Sequence, residues 1–407
     1  MVAESPLSMM RPQAQRPRVP GPGRAWRRPW RILTPIAIIA LLAVAWGWVW
    51  YYASAVTDRT LASWIEREAA AGRIYSCATE SIGGFPLGMS VHCTDPAATI
   101  SNNAPPFAVK AKSVTFSAQI YRPTQLTGDI SGPMTVAAAG ESSVFVADWT
   151  RARLGLRGVP PDPEGVSVTL DGPRLDRVTT ASNAGEALFR AKSAELQGRI
   201  VGGSARNRPV IEVVLRLSAA AAPTLHPLLT VPLNIDLDTT LRGINDFSPK
   251  PWAERFREMQ ANNGAFEIKT LRFTQGSAIV VGAGTLRVND RGHLDGLVRV
   301  AIVGLDEIVP RLGIDQLIAQ GIDRLSATQG ATAQGSIAQG LGALDRLVPG
   351  LGDAVRQTAN ANLVDNLKKM GEQSVIDQQP AIVLPLRFSD GAIYLGMLRV
   401  GDMPPLF

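Results

Sequence analysis

Few residues in this chain are of a type and spacing that could do chemistry. The three histidines, His92, His226 and His293, have no second ligand at the spacing that a helix or hairpin needs to hold zinc. No Gly-x-Ser-x-Gly elbow and no phosphate-binding glycine loop occurs. Asp236 and Asp238 share one face of a predicted strand, where they could bind a cation or transfer protons, but they are more simply its solvent-facing side. We therefore expect a protein that is not an enzyme and has no cofactor or metal.

The two cysteines, Cys77 and Cys93, are candidates for a disulfide. They lie on predicted strands at 75–81 and 87–93, which flank a Gly-Gly-Phe-Pro turn signal. A hairpin centred on Phe85 would place the two cysteines opposite each other, within disulfide reach. We predict the bridge, which could add about 3 kcal/mol of stability by closing the loop. A reactive thiol pair is the alternative, although almost nothing basic adjoins them to activate a thiolate.

The segment from Ile32 to Tyr52 has no charged side chain. Its length matches the roughly 20 residues that a helix needs to cross a hydrocarbon core of roughly 30 Å. Aromatic residues crowd its end, as in the belt found at headgroup depth. We therefore predict a transmembrane anchor at residues 32–55, with these side chains at the membrane interface: Trp46, Trp48, Trp50, Tyr51 and Tyr52.

The charge is concentrated before this anchor. Residues 1–31 contain seven arginines and one acid, so the whole formal net charge of +6 lies there and the rest of the chain is neutral. The positive-inside rule then predicts a disordered cytoplasmic basic tail and an exported body, in a single-pass inner-membrane protein with a periplasmic C-terminal part. A neutral body has no electrostatic footprint for nucleic acid, which we exclude as a partner.

A cleaved signal peptide is the competing interpretation of the anchor. Ala53-Ser54-Ala55 has the small-x-small form of a signal-peptidase site. Against cleavage, the apolar run exceeds the usual ~7–15 residues of a signal peptide. We favour the retained anchor, and either interpretation exports the body.

The body, residues 56–407, shows mainly the period-two alternation of half-buried strands. Apolar and polar residues alternate at 114–120, 211–217 and 233–241. Turn signals at 289–292 and 389–391 join strand pairs as hairpins, the second between 382–388 and 392–400. These patterns predict antiparallel sheets, in possible halves 56–200 and 201–407.

Helical patterns enter at a few places. Residues 58–71 and 248–263 have apolar stripes, and a segment at 305–371 contains predicted helices at 314–325 and 353–370 around a low-complexity stretch at 326–340. We expect these helices to pack on the sheets. The predicted fold is thus α+β, mainly antiparallel β, with curved sheets and amphipathic helices packed on them, preceded by one transmembrane helix.

A weak internal repeat links two parts of the body. Residues 107–116 and 188–196 both place Ala-Lys-Ser between apolar strand steps. Two copies fall short of a solenoid, but they predict two similar sheet layers.

Several landmarks together resemble an uncharacterised family of Gram-negative envelope proteins, domain of unknown function 2125. Besides the anchor and the helix with Trp64, they are 82–87 (IGGFPL), 282–288 (GAGTLRV), 292–296 (GHLDG), 384–391 (LPLRFSDG), Leu395-Gly396 and 403–406 (MPPL). The resemblance covers the chain from about residue 40 and implies no activity or catalytic residues. The Ala-Lys-Ser steps are also similar to repeats of AsmA-like envelope proteins, which have an N-terminal anchor and a β-rich body linked to lipid homeostasis.

Two functions fit these predictions. One is non-enzymatic lipid handling or envelope maintenance, in which the apolar face of a sheet forms a lipid groove. The alternative is a scaffold or assembly factor that binds other envelope proteins. An exported enzyme would need an acid–base set assembled from separate strands. An open apolar groove favours the first function, and a sealed interior favours the second.

Overall fold

The computed structural model describes residues 30–101, 105–138, 143–159, 162–179, 182–225, 227–248, 250–311, 364–396 and 398–407. The chain divides into two units, Met1–Ala55 and Val56–Phe407. His226, the basic tail before Trp30, the helix predicted at 314–325, the stretch at 326–340 and most of the helix predicted at 353–370 lie outside the described residues.

The first helix, α1 (Trp30–Ala70), confirms the predicted apolar helix near the N-terminus. From Leu33 onward it is long and apolar enough to cross a membrane. The helix predicted to begin separately at Asp58 is instead the end of α1, because no glycine or proline interrupts the chain between Tyr52 and Asp58. It ends just before Gly72, which has a φ of 77° that favours glycine.

Strands make up most of the second unit. In chain order they are β1 (Arg73–Ser76), β2 (Thr79–Gly83), β3 (Gly88–Thr94), β4 (Ala97–Ile100), β5 (Phe107–Lys110), β6 (Ser113–Gln119), β7 (Arg122–Ser131), β8 (Met134–Ala138), β9 (Ser143–Asp148), β10 (Arg151–Val159), β11 (Asp162–Asp171), β12 (Arg174–Thr179), β13 (Ser182–Arg190), β14 (Ser193–Ser204), β15 (Asn207–Ala220), β16 (Leu233–Arg242), β17 (Ala265–Gln275), β18 (Ala278–Val288), β19 (Leu294–Val303), β20 (Glu372–Ile376), β21 (Gln379–Ser389), β22 (Ala392–Leu395) and β23 (Leu398–Asp402). Helices α2 (Trp252–Ala261) and α3 (Leu305–Arg311), a helical segment at 364–370 and a 3₁₀ turn (Pro227–Thr230) complete the described elements.

These strands form two open antiparallel sheets, which confirms the predicted fold class. The smaller sheet has the order β1-β4-β5-β8-β9-β12-β13. The larger has the order β2-β3-β6-β7-β10-β11-β14-β15-β16-β17-β18-β19-β21-β22-β23, with β20 paired to β21. From β14 to β19 every strand pairs with the next along the chain, as the alternation and turn signals predict.

Before β14 the chain passes repeatedly between the two sheets. It leaves the larger sheet at Asp95-Pro96, Gly132-Pro133 and Gly172-Pro173, and each proline ends the ladder because it has no N–H to donate. Asp95 and Gly172 have φ values of 46° and 60°, so two of these three corners use left-handed backbone. The chain therefore repeats one supersecondary unit with a period of about 40 residues.

The Ala-Lys-Ser repeat marks the corners where the chain returns to the larger sheet. The N–H of Ala111 donates to the carbonyl of Pro96 (3.0 Å), and that of Ala191 donates equivalently to Pro173 (3.0 Å). Between these two corners lies a third, Trp149-Thr150-Arg151, which has the same place in the topology but a different sequence. The sequence repeat therefore reveals the first and third copies and misses the second.

The end of the chain contains the tightly packed part of the body. Leu305 of α3 and Val364 and Leu367 of the segment at 364–370 pack on the sheet, with Leu286, Val298, Val300, Ile302, Leu384 and Leu395 in the same cluster. Among the described residues, α3 and the segment at 364–370 thus pack on the larger sheet as predicted. The strand predicted at 392–400 is two strands, because Gly396 has a φ of 61° and turns the chain between β22 and β23.

Candidate functional site: an open apolar sheet face

One row of paired residues crosses the larger sheet without a polar side chain. Residues directly opposite each other in antiparallel strands project to the same face, so the strand register alone defines the row. From β2 to β21 its members are Ile82, Val91, Phe116, Gly128, Leu154, Val168, Leu196, Leu215, Leu237, Leu271, Gly282, Val300 and Leu384.

A second apolar row runs beside the first on the same face, two residues further along each strand or two residues before. From β3 to β21 its members are Cys93, Val114, Ile130, Ala152, Leu170, Ala194, Leu217, Ile235, Phe273, Val280, Ile302 and Ile382. Together the two rows make a continuous apolar surface that no single strand shows.

Coverage of this surface changes along the sheet. At the β19–β21 end the helices cover it, and Leu384 is 1% exposed. In the first row, Leu196 is 40% exposed and the other large side chains from β2 to β17 are only half-buried. Of the buried apolar side chains in the described part of the chain, all but Cys93, Ala152 and Pro173 lie beyond residue 204. We call the two rows on strands β2 to β17 the open apolar face.

The opposite face of the larger sheet is polar. Exposed ion pairs join neighbouring strands there, as between Arg216 and Glu195 (3.8 Å) and between Arg216 and Asp236 (3.7 Å). Pairs of this kind contribute little stability in water. The carboxylates of Asp236 and Asp238 both lie on this face, as their alternation predicts. His92 lies there as well, with its Nδ1 2.8 Å from the hydroxyl of Thr115.

A cleft of about 420 Å³ opens on the polar face between β7 and β15. Gly155 and Gly165 leave space at its floor, and its lining includes Arg157, Arg199 and Glu212. The Glu212 side chain is 10% exposed and accepts hydrogen bonds from Lys269 and Arg199. These bonds outweigh the effect of burial and lower the pKa of Glu212 below its usual value.

This cleft is the nearest approach to a chemical site. Oδ1 of Asp238 is buried and accepts no hydrogen bond within the described residues, and the ammonium of Lys269 is 4.0 Å from it. Glu212, however, is fully engaged by two cations, so it lacks the raised pKa of a proton donor or base. In the ranges that the structure describes, no three histidine, cysteine or acidic side chains gather as a metal site would require.

The sulfurs of Cys77 and Cys93 form a disulfide, with the Cα atoms 5.6 Å apart. The predicted register was wrong, because Cys93 lies opposite Glu80 and not opposite Cys77. The turn occupies Gly84 to Gly88, closed by a 2.9 Å bond from the Gly88 N–H to the Gly84 carbonyl, which moves the hairpin centre past Phe85. The strand predicted at 75–81 breaks at Cys77-Ala78, where the chain passes from β1 in the smaller sheet to β2 in the larger. The disulfide thus ties this link to the second apolar row.

The five aromatic residues predicted at the membrane interface lie on α1. Trp46, Trp48, Tyr51 and Tyr52 are exposed, and the rings of Trp48 and Tyr52 stack with centroids 6.1 Å apart. Trp50 is half-buried.

Sequence reasoning identified the alternation on individual strands and left undecided whether an apolar face is an open groove or a sealed interior, because that depends on the register of many strands at once. Comparison with curated proteins and with solved structures finds no match to this chain. A family model described as uncharacterised proteins conserved in bacteria, DUF2125, matches residues 50–404. Because this match covers most of the sequence, the chain belongs to the DUF2125 family.

Proposed function

We propose that the protein handles lipid without catalysing a reaction, by holding acyl chains on the open apolar face of its larger sheet. The observation that carries the proposal is the contrast within one row, where Leu384 is buried and Leu196 is 40% exposed. Fully burying one leucine is favourable by about 1.5–3 kcal/mol. An apolar ligand on this face would bury side chains that remain exposed after folding, and its binding would gain part of that free energy.

The dimensions of the face suit acyl chains. It crosses ten strands from β2 to β17, which at about 4.8 Å between strands is roughly 40 Å. An acyl chain fills half of a hydrocarbon core of roughly 30 Å, or about 15 Å. The face therefore has room for one or more whole chains.

The chemistry of the face favours a lipid over a peptide. The backbone groups of inner strands are already paired in the sheet, so the face offers apolar side chains and almost no free donor or acceptor. An extended peptide laid on it would bury its own amides without partners, which is unfavourable. Hydrocarbon has no such groups to satisfy.

We further propose that α1 anchors the protein in the inner membrane with the N-terminus in the cytoplasm and the β body in the periplasm. The arginine-rich tail on one side of the apolar segment supports this orientation through the positive-inside rule. The Cys77–Cys93 disulfide also supports it, since such bonds persist in oxidising compartments.

Photo-crosslinking of the full-length protein in cells tests the lipid proposal. A photoreactive phenylalanine is incorporated in place of Leu196, on the open apolar face, or in place of Glu195, the next residue on the polar face. After illumination, mass spectrometry of the purified protein should find lipid adducts at position 196 and almost none at position 195. Equal adducts at both positions, or none at position 196, would contradict the proposal. A stoichiometric protein adduct at position 196 would instead support the scaffold function.

A further inference from the structure

A second exposed apolar surface lies at the turns of the first two hairpins of the larger sheet. Leu87, Ile120 and Tyr121 are 64%, 41% and 65% exposed. The N–H of Ile120 donates to the carbonyl of Leu87 (3.1 Å), so the two turns lie side by side. We call these three residues the tip patch.

The composition of the second turn is unusual for its geometry. Ile120 and Tyr121 form the two-residue loop between the paired residues Gln119 and Arg122. Loops of this length usually contain glycine, asparagine or aspartate, and bulky apolar side chains here gain nothing from folding. The corresponding turn between β14 and β15 has Ala205-Arg206, and Arg206 forms an ion pair with Asp162 (2.7 Å). A two-residue turn therefore does not need apolar residues, and their presence is particular to the turns of the first two hairpins.

Chain connectivity limits the distance between the end of the apolar segment and the first hairpin. The hydroxyl of Thr57 contacts the sulfur of Met89 (2.8 Å), and Met89 lies two residues from Leu87. Thr57 follows Tyr52 by five residues, which can span at most about 18 Å in any conformation. Thr57, and with it the contact to Met89, therefore lies within about this distance of the end of the apolar segment.

The tip patch is also continuous with the open apolar face. Met89 lies opposite Ala118, and Val91 lies opposite Phe116 in the first row. Because every second residue of a strand shares a face, Met89 and Val91 continue on one face of β3 the apolar line that starts at Leu87 in the turn. A lipid leaflet is therefore the partner that suits both ends of this line.

We propose that the tip patch inserts into the lipid leaflet from which the anchor emerges, at the boundary between headgroups and acyl chains. The inference rests on the proposed membrane anchoring and lipid handling. It adds that the open apolar face begins at the membrane surface, so that an acyl chain can pass from the leaflet along Leu87, Met89 and Val91 without crossing water. Arg122, directly after Tyr121, is placed to meet lipid phosphate at the same depth.

Depth-dependent quenching in the full-length protein tests the insertion. Tyr121→Cys and, as the matched control, Asn207→Cys, at an exposed hairpin end of β15, are labelled with an environment-sensitive fluorophore under non-reducing conditions. Each labelled protein is reconstituted into vesicles of phosphatidylethanolamine and phosphatidylglycerol with or without brominated acyl chains. We expect the label at position 121 to shift to the blue and to lose most of its emission to brominated lipid, and the label at position 207 to do neither. Quenching at position 121 no stronger than at position 207 would overturn the inference.

The two proposals fail separately. Lipid adducts at position 196 without quenching at position 121 would leave lipid handling in place and remove the insertion of the tip patch. Quenching at position 121 without adducts at position 196 would support insertion of the tip patch into the membrane and contradict lipid binding on the open apolar face. With both in place, the variant Leu87→Ser/Ile120→Ser/Tyr121→Ser should yield severalfold fewer lipid adducts at position 196, with its disulfide and far-ultraviolet circular dichroism unchanged.

Discussion

Gly128 lies directly opposite Phe116, and a Cβ atom at position 128 would be 2.8 Å from the ring of Phe116. The missing side chain thus gives the ring its space within the first row. Substitution by even the smallest side chain would push the ring away from its neighbours on the open apolar face.

We therefore expect Gly128→Ala to lower the free energy of unfolding by about 1–3 kcal/mol through overpacking. Gly198, on β14 of the same sheet, provides a control, because its added Cβ would make an ordinary 3.4 Å contact with Val166. Gly198→Ala should change stability by less than about 0.5 kcal/mol. Denaturant unfolding of both variants measures the difference, and equal effects would contradict the assigned packing.

The disulfide gives a second prediction. Because Cys77 precedes β2 and Cys93 lies in the second apolar row, the bond restrains the link between the two sheets. Cys77→Ser/Cys93→Ser should lower the free energy of unfolding by about 2–4 kcal/mol. Wild-type protein in reducing buffer should unfold at the same denaturant concentration as the double variant. Reduced wild type that unfolds like the oxidised protein would show that the bond restrains little.

How far the sequence predicts this structure depends on the range of the interactions involved. Alternation at 114–120 and 233–241 predicts strands because the side-chain period of a strand is local. The break at Cys77-Ala78 was missed because the residues on either side of it differ only in the sheet with which they pair. The open face could not be predicted, since Leu196 and Leu384 have similar local patterns and differ only in what packs above them.

The same limit applies to the repeat and to the site. The corners at Lys112 and Lys192 share a sequence, whereas the corner at Thr150 shares only hydrogen-bonding geometry, as in the bond from its N–H to the carbonyl of Asp171 (2.9 Å). Backbone hydrogen bonds can form with almost any residue type, so they cannot be predicted from the sequence at such a corner. The likeness to AsmA-like proteins, the cell compartment and the absence of enzymatic activity stay predictions.

A third prediction concerns pH. The side chain of Glu258 is 7% exposed and accepts hydrogen bonds from Lys250 (2.9 Å), Arg255 (3.1 Å) and the backbone N–H of Asn245. Burial alone would raise its pKa, but these bonds and charges outweigh burial and lower the pKa below 4.5. A lowered folded-state pKa stabilises the fold above the unfolded value, and this stability is lost as the pH falls through the folded-state pKa.

Glu258→Gln should therefore be less stable than wild type at neutral pH, by about 1–3 kcal/mol from the weakened buried hydrogen bonds. The difference should narrow as the pH falls below about 4.5. Glu254→Gln, on the exposed side of the same helix, controls for loss of charge and should differ little from wild type at any pH. Urea unfolding between neutral and acidic pH measures both variants. A deficit for Glu258→Gln that stays constant with pH would contradict the lowered pKa.

The proposed topology gives a fourth prediction. A phosphatase reporter that needs disulfides to fold, joined after Phe407, should be active in intact cells because the body lies in the periplasm. The same reporter joined after Arg31, before the apolar segment, should be inactive because nothing exports it. Activity in cells is the measurement. The opposite pattern would reverse the orientation and remove the compartment on which the lipid proposal depends.

The contrast between Leu196 and Leu384 gives the sharpest prediction, because both belong to the same apolar row. Leu384 is 1% exposed within the helix-covered core, so Leu384→Ala should lower the free energy of unfolding by about 2–5 kcal/mol. Leu196 is 40% exposed, so Leu196→Ala should lower the free energy of unfolding of lipid-free protein by less than about 1 kcal/mol.

Added lipid should affect the stability of variants at the two positions differently. A ligand that binds only the folded state raises the free energy of unfolding according to its affinity. Added phospholipid should stabilise wild type and Leu384→Ala by similar amounts, because position 384 is sealed from the ligand. Leu196→Asp should gain much less from lipid, since a charge on the open apolar face would have to lose its water when an acyl chain binds. Thermal unfolding with and without lipid measures these gains, and equal stabilisation of all three proteins would place the lipid somewhere other than the open apolar face.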